Sequence, residues 1–346
     1  MIRDAAGLLA RLRTIHAAIR DAVVCACERS ASEQLATPIA HEGGDTIYAI
    51  HRVSEGVLLE HFADLASEWS CVLVAEGLGA SGRTVLPRGS SASAAELQII
   101  VDPIDGTRGL MYQKRPAWIL TGVAPNRGPA TTMADIELAV QTEIPLLKQH
   151  LSEALWVIDN EVRGERLDRI SGARTPFVPR PSQAATIAEG YGSVTRFFPG
   201  ARDVLAAVDD EVAERVLGPA QPGRAQLFED QYISTGGQLY ELLMGHDRWI
   251  ADLRPLVEPV LRDRGRALGL CCHPYDLCTE SIARAAGVVV VDERGRRLTA
   301  PLYVGTDVSW IGIANAGIRD QLWPVLQSVL EERGLVRGGE RVARRG

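Results

Sequence analysis

Apolar positions spaced by threes and fours open the chain. Leu8, Leu9, Leu12, Ile15, Ile19, Val23 and Val24 predict an amphipathic helix from about Asp4 to Glu28. The polar, glycine-containing stretch His41-Glu-Gly-Gly44 breaks that pattern. Ile50, Val53, Val57, Leu58 and Phe62 then predict a second helix from about Ile47 to Glu68. At Cys71 the pattern changes to short continuous apolar runs. Cys71-Val-Leu-Val-Ala75 predicts a buried strand ending at Glu76-Gly77, and the Gly- and Ser-rich stretch from Gly79 to Ser93 predicts a loop. Leu97-Gln-Ile-Ile-Val101 predicts another buried strand, which runs into a tight Pro/Gly corner at Asp102-Pro-Ile-Asp-Gly-Thr107.

After that corner, Trp118–Val123, Ile136–Ile144 and Ala154–Arg163 predict strands of a largely antiparallel sheet, with Arg163-Gly-Glu as a turn. The Pro-rich Thr175–Pro181 is the best candidate boundary between an N-terminal subdomain, residues 1–180, and a C-terminal one, residues 181–346. Beyond it, Thr186–Tyr191 and Val288–Val291 predict strands. Ala201–Leu217, Ser234–Met244 (opening at Gly236-Gly237), Leu277–Ala286 and Asp320–Glu332 predict helices.

Composition narrows the function classes. A chain of 346 residues with 46% hydrophobic and 23% charged content can bury a large core. The net charge of −7 gives no general electrostatic case for a nucleic-acid polymer or an anionic membrane, and it favours phosphate chemistry only where metal ions supply local positive charge. No apolar stretch is long enough to span a bilayer, and a charged N-terminus (Arg3, Asp4, Arg11, Arg13) argues against a secretory signal. The six cysteines contain no CxxC pair, and the vicinal Cys271-Cys272 cannot form an ordinary bridge, so reduced thiols and a cytoplasmic location are expected. The basic cluster from Arg337 to Arg345 reads as a solvated tail.

The chemistry concentrates at the central corner. Asp102 and Asp105 offer hard oxygen donors, and the backbone N–H groups of Gly106 and Thr107 can face an anion, a combination that suits Mg²⁺ with a phosphate. A bare pair of acids three apart is commonly only solvated; the whole string DPIDGT is far more specific. It resembles the signature of the inositol monophosphatase superfamily, which includes fructose bisphosphatases and bisphosphate nucleotidases. Val74-Ala75-Glu76 and Tyr275-Asp276, the latter followed by Ala285-Ala286-Gly287-Val288-Val289, match further family positions, and the resemblance runs from Asp45 to roughly Asn315. Taken alone, Glu76 reads as a surface acid and Asp276 as a helix N-cap.

The resemblance implies an α+β fold, the layered α/β/α/β/α sandwich of the inositol monophosphatase and sugar phosphatase type. It implies one metal ion held by Glu76, Asp102 and the Ile104 carbonyl, and a second held by Asp102, Asp105 and Asp276. Thr107 would orient the attacking water, while the backbone N–H groups of Gly106 and Thr107 would hold the phosphate, with Arg108 next to it in sequence. Gly236, Gly237 and Gln238 resemble a segment whose backbone contacts the substrate's organic part, the alternative being a glycine-permitted helix start. Asp252 resembles a carboxylate that grips sugar hydroxyls, the alternative being a solvated acid.

The departures matter as much. His51 stands where a family stretch ends in an Asp that pairs with the catalytic Thr; a neutral imidazole can also accept from a hydroxyl, and a helix-surface role is the alternative. Gly77 replaces a second Glu, which bears on a third metal ion, and Tyr275 replaces a Trp. Arg108 could bind a second anionic group or be solvated. The implied activity is that of a phosphomonoesterase using two or three Mg²⁺ ions on a small phosphorylated polyol or sugar, acting as a homodimer. The alternatives are a bisphosphate nucleotidase or sugar-bisphosphate phosphatase, for which Asp276-Leu-Cys278 is a pattern in common, and a non-catalytic metal-binding homologue acting as a sensor or interaction protein.

Overall fold

The computed structural model describes residues 1–30, 38–42, 45–76, 78 and 81–337. Gly77, the Gly43-Gly44 pair and the basic cluster beyond Arg337 lie outside the described residues. Helix α1 (Ala5–Arg29) is capped by Asp4, whose side chain accepts from the Gly7 N–H. It leads to a hairpin of β1 (Pro38–Glu42) and β2 (Asp45–Tyr48), where the sequence had suggested only a break. Helix α2 (Ala49–Leu65) follows.

The next eight strands form one sheet. In chain order they are β3 (Cys71–Ala75), β4 (Arg83–Leu86), β5 (Leu97–Asp105), β6 (Ala117–Pro125), β7 (Leu138–Ile144), β8 (Leu151–Ile158), β9 (Glu161–Asp168) and β10 (Arg174–Phe177). A five-residue helix, α3 (Thr107–Met111), separates β5 from β6. The spatial order is β10-β9-β8-β7-β6-β5-β3-β4, and only β3 and β5 run parallel. β4 falls inside the stretch expected to be a loop, where Arg83–Leu86 pairs along Cys71–Val74. The β8–β9 turn is also displaced from expectation. It lies at Asp159-Asn160, both with positive φ (51° and 59°), rather than at Arg163-Gly-Glu. Asp and Asn tolerate that conformation because their side chains bond locally to the backbone.

The rest of the chain builds a four-stranded sheet of β11 (Tyr191–Val194), β12 (Asp247–Asp252), β13 (Val289–Val291) and β14 (Trp310–Ile313) in the order β11-β12-β14-β13. β11 starts where the strand expected over Thr186–Tyr191 was to end. Helix α4 (Arg202–Leu217) follows β11, and α5 (Thr235–Leu243) precedes β12. Then come α6 (Glu258–Asp263), α7 (Pro274–Leu277), α8 (Glu280–Ala285) and the last helix α9 (Ala316–Glu332). The single helix expected over Leu277–Ala286 is thus two short ones, broken at Cys278-Thr279, where the Thr279 hydroxyl donates to Gln141 Oε1 on β7.

Burial explains the layering. Strands covered on both faces must be apolar throughout, and alternate residues serve different cores. On β3, Leu73 packs with Leu12, Ile19, Leu58 and Phe62 of α1 and α2, while Val72 and Val74 pack with Leu239, Leu242, Leu277 and Ile282 of α5, α7 and α8. On the smaller sheet, Ile250 joins that second core, whereas Trp249 and Ala251 join a third with Leu205, Val212, Leu322 and Leu326 of α4 and α9. Five layers result, α/β/α/β/α, as expected. No helix among the described residues is long and apolar enough to cross a membrane.

Candidate active site

The central string is a bulged strand rather than a turn after one. β5 continues to Asp105, but its pairing with β6 shifts: Asp102 faces Leu120 and Asp105 faces Trp118. Three steps on β5 therefore match two on β6. In a regular strand two residues an odd number apart point to opposite faces. The extra residue at Pro103-Ile104, where proline has no N–H to give to the ladder, brings both carboxylates to one side. Asp102 is further fixed by accepting the Ile104 N–H at Oδ1, 2.9 Å away. Gly106 then turns the chain with φ 91°; a Cβ there would sit 2.9 Å from Ser234 Cβ.

Asp276 arrives from the second half of the chain. It is the third residue of α7, and its Oδ2 accepts the His273 N–H at 2.6 Å, so it caps the helix from inside the first turn instead of as the N-cap itself. Carboxylate oxygens of Asp102, Asp105 and Asp276 lie within 4.8 Å of one another, and Glu76 lines the same cavity. Burial, then the charges of Asp105, Glu76 and Asp276, pushes the Asp102 carboxyl far above the usual carboxylate range. Burial and Asp276 push Asp105 up to about 8, against the opposing pull of the Gly236 N–H, the Ser234 hydroxyl and the Thr235 N–H. Four acids arranged to repel are stable as anions only with cations among them. All-oxygen donors of this kind fit Mg²⁺ better than zinc.

The start of α5 holds Asp105 in place. Its Oδ2 accepts from the Ser234 hydroxyl (2.8 Å) and the Gly236 N–H (2.5 Å), while Ser234 Oγ also accepts the Gly237 N–H. Gly236 thus braces Asp105 through its N–H and Gly237 braces Ser234, and Gly236, Gly237 and Gln238 are not among the residues that line the cavity. The Gly236 carbonyl takes the Gln141 amide and Gln238 Nε2 donates to Thr195. A Cβ on Gly236 would meet Leu120 Cδ2 at 2.6 Å and Asp105 Oδ2 at 3.0 Å. Gly236→Ala should accordingly weaken divalent-cation affinity, and any metal-dependent turnover, about 10²-fold, since a misplacement of about 1 Å at a site costs that much. Its thermal stability should fall by about 1–3 kcal/mol from overpacking. Calorimetric titration and melting of the variant check both.

Thr107, the first residue of α3, donates its hydroxyl to the Ile104 carbonyl at 2.7 Å and lies 3.0 Å from His51 Nε2. His51 is thereby brought to Thr107 by α2, across 56 residues of sequence. Asp252 is elsewhere. It is fully buried, and its carboxylate is gripped by Arg254, which donates from Nε at 2.8 Å to Oδ1 and from Nη2 at 2.5 Å to Oδ2. It is Arg254, not Asp252, that lines the cavity, together with Arg108, Phe197, Phe198 and Cys271. Of these only Arg108 is marked in the sequence. Arg254 opens a short 3-10 helix just after the strand ends at Asp252, so strand periodicity does not mark it. Phe197, Phe198 and Cys271 lie in irregular segments that carry no periodic signal.

No protein-family model and no curated protein matches the sequence. Solved structures do match the fold over nearly the whole chain. Leishmania major fructose-1,6-bisphosphatase superposes with a TM-score of 0.66 at 14% identity, covering 94% of this chain and 93% of that one. A Pyrococcus horikoshii hypothetical protein with similarities to inositol-1 monophosphatase gives 0.61 at 13%, covering 94% and 99%. The extragenic suppressor protein suhB of Bartonella henselae gives 0.60 at 12%, covering 93% and 98%. The chain has the fold of the inositol monophosphatase and fructose-1,6-bisphosphatase structures.

Proposed function

We propose that the protein is a Mg²⁺-dependent phosphomonoesterase acting on a small phosphorylated polyol or sugar. The observation that carries this reading is the bulge on β5, which gathers Asp102 and Asp105 with Asp276 and Glu76 at a cavity also lined by Thr107 and His51. Glu76, Asp102 and the Ile104 carbonyl would hold one ion, and Asp102, Asp105 and Asp276 another. Such ions supply charge neutralisation for the ester phosphate and a water acidic enough to attack it. Gly106 and Thr107 offer backbone N–H groups to the phosphate oxygens where α3 begins. The cavity is open to solvent on one side, so an ester's organic part can extend outward past Phe197 and Phe198. A cytoplasmic homodimer belongs to the same reading, and six free cysteines support a reducing compartment.

His51 and Thr107 form the proton-handling pair. With its Nε2 unprotonated, His51 accepts the Thr107 proton, and the Thr107 oxygen is left to accept from a water and aim it. With Nε2 protonated, His51 donates to Thr107, whose hydroxyl stays on the Ile104 carbonyl. The first tautomer is the productive one. Phosphate release from a panel of esters, with Mg²⁺ and with chelator, tests the activity. Release should require Mg²⁺, fall about 10²-fold in His51→Ala, and recover in large part in His51→Asp, whose carboxylate also accepts from a hydroxyl. Metal binding without release from any ester would instead favour a sensor or interaction protein.

A further inference from the structure

Two helices hold acids of the candidate site, and one side chain of the large sheet ties both helices down. Gln141 on β7 is fully buried. Its Nε2 donates to the Gly236 carbonyl at 2.7 Å, and the Gly236 N–H in turn holds Asp105 Oδ2. Its Oε1 accepts from the Thr279 hydroxyl at 3.0 Å, three residues beyond Asp276. A carbonyl can only accept, so the amide has one orientation here. Thr279 precedes α8, yet its hydroxyl caps no helix N–H and goes to Gln141 instead. Gln98 and Gln238 are buried too, but among the described residues neither Oε1 has a partner, whereas the Gln141 amide is bonded at both ends.

The sheet fixes where that tie is made. Gln141 is paired with Leu120 on β6, and Leu120 with Asp102 on β5, so the three residues stand in one row on one face. Beside the row, Gly122 leaves room for the turn that follows Asp276: a Cβ there would sit 2.7 Å from the Cys278 carbonyl oxygen and 3.0 Å from Cys278 Cβ. The corner between α7 and α8 is thus seated on β6 and bolted to β7, and the start of α5 is bolted to the same amide. Gln141 is not among the residues that line the cavity, so it acts through Asp105 and Asp276 rather than on a ligand. An amide has fixed length and angle. Two hydrogen bonds to it hold the Gly236 carbonyl and the Thr279 hydroxyl at one separation, and with them the spacing of the two acids that these segments carry.

We infer that Gln141 is a positioning residue that fixes the spacing of Asp105 and Asp276, and that it thereby makes the divalent site selective for a small cation over a larger one. This rests on the metal-site part of the reading above. Mg²⁺ demands a near-ideal octahedron at about 2.0–2.1 Å, whereas Ca²⁺ accepts about 6–8 oxygens at about 2.3–2.6 Å in flexible arrangements. Rigidly spaced acids favour the first ion. Acids free to part lose that preference.

Calorimetric titration of the full chain with Mg²⁺ and with Ca²⁺, no ester present, tests it. Gln141→Met keeps the length and loses both hydrogen bonds. It should weaken Mg²⁺ binding about tenfold and Ca²⁺ binding less than about threefold. Should that variant fail to fold, Thr279→Val removes one hydroxyl only and should shift the ratio of the two affinities in the same direction, while Thr279→Ser keeps the hydroxyl and should leave the ratio at its wild-type value. Gln141→Met combined with Thr279→Val should shift it no further than Gln141→Met does, because the hydroxyl acts through the amide. A merely structural glutamine predicts a lower melting temperature in chelator with the ratio unchanged; that result, or an equal loss for both ions, overturns the inference. Wild-type protein that binds neither ion strikes the metal site itself and the inference with it. Binding with the expected shift, but no release from any ester, strikes only the phosphatase reading.

Discussion

Asp102→Asn is expected to lower phosphate-ester turnover by about 10³-fold or more, and at the same time to raise the melting temperature of the metal-free protein. The first effect follows from position. Asp102 is the one acid shared by both proposed ion sites, and loss of several kcal/mol of charge stabilisation corresponds to a thousandfold or more in rate. The second follows from the apo electrostatics. The Asp102 carboxyl is 2% exposed, and burial and the charges of Asp105, Glu76 and Asp276 all disfavour its anion. Asn keeps the shape and the Oδ1 acceptor for the Ile104 N–H while removing the charge, so stability in chelator should rise by about 1–3 kcal/mol. Mg²⁺ should then add little. A merely structural aspartate behaves in the opposite way: its loss lowers the melting temperature and spares turnover. Melting curves with and without Mg²⁺, read beside the turnover of the same preparation, decide between the two.

The legible parts of this site are those written in local sequence. The apolar run Leu97–Val101 had to be a buried strand, and the string that follows it named the two acids, because Pro and Gly at fixed offsets constrain the backbone wherever they occur. The bulge itself was not legible. It is a property of the register against β6, Asp102 opposite Leu120 and Asp105 opposite Trp118, and no pattern within β5 encodes its partner's alignment. The same limit explains the glycines at 236 and 237. Their spacing marks a helix start, but only the packing of α5 behind β5 shows that the Gly236 N–H serves Asp105. Asp252 was visible as a residue and not as a direction; its pairing with Arg254 turned the expected hydroxyl-binding acid away from the cavity. Turn placement failed for a related reason. Gly164 looks like a turn residue, yet its missing Cβ makes room for the Phe177 ring, which a Cβ would meet at 2.6 Å, and the turn went to Asp159-Asn160.

Proton release should accompany metal binding, and the stabilisation that Mg²⁺ confers should grow between pH 6 and pH 8. Asp105 holds its proton up to about 8 in the metal-free fold, and burial and the neighbouring acids raise Asp102 as well, whereas both titrate near 4 in the unfolded chain. From about pH 4 to 8 the native state therefore binds more protons than the unfolded one, and metal-free stability falls as pH rises through that window. Each such carboxyl contributes about 1.4 kcal/mol per pH unit there. Cations bind only the deprotonated acids, so their apparent affinity should rise about tenfold per pH unit for each proton displaced, the share due to Asp105 levelling off above pH 8. Glu143 and Asp247, raised to about 7 by burial, tilt the metal-free curve the same way. The increment between Mg²⁺ and chelator, not the raw slope, is the quantity to read. Calorimetry of Mg²⁺ binding in buffers of different ionisation enthalpy counts the protons directly: one or more per site at pH 7 is expected, and none would mean that the buried acids are already ionised and that something other than a divalent cation holds them together.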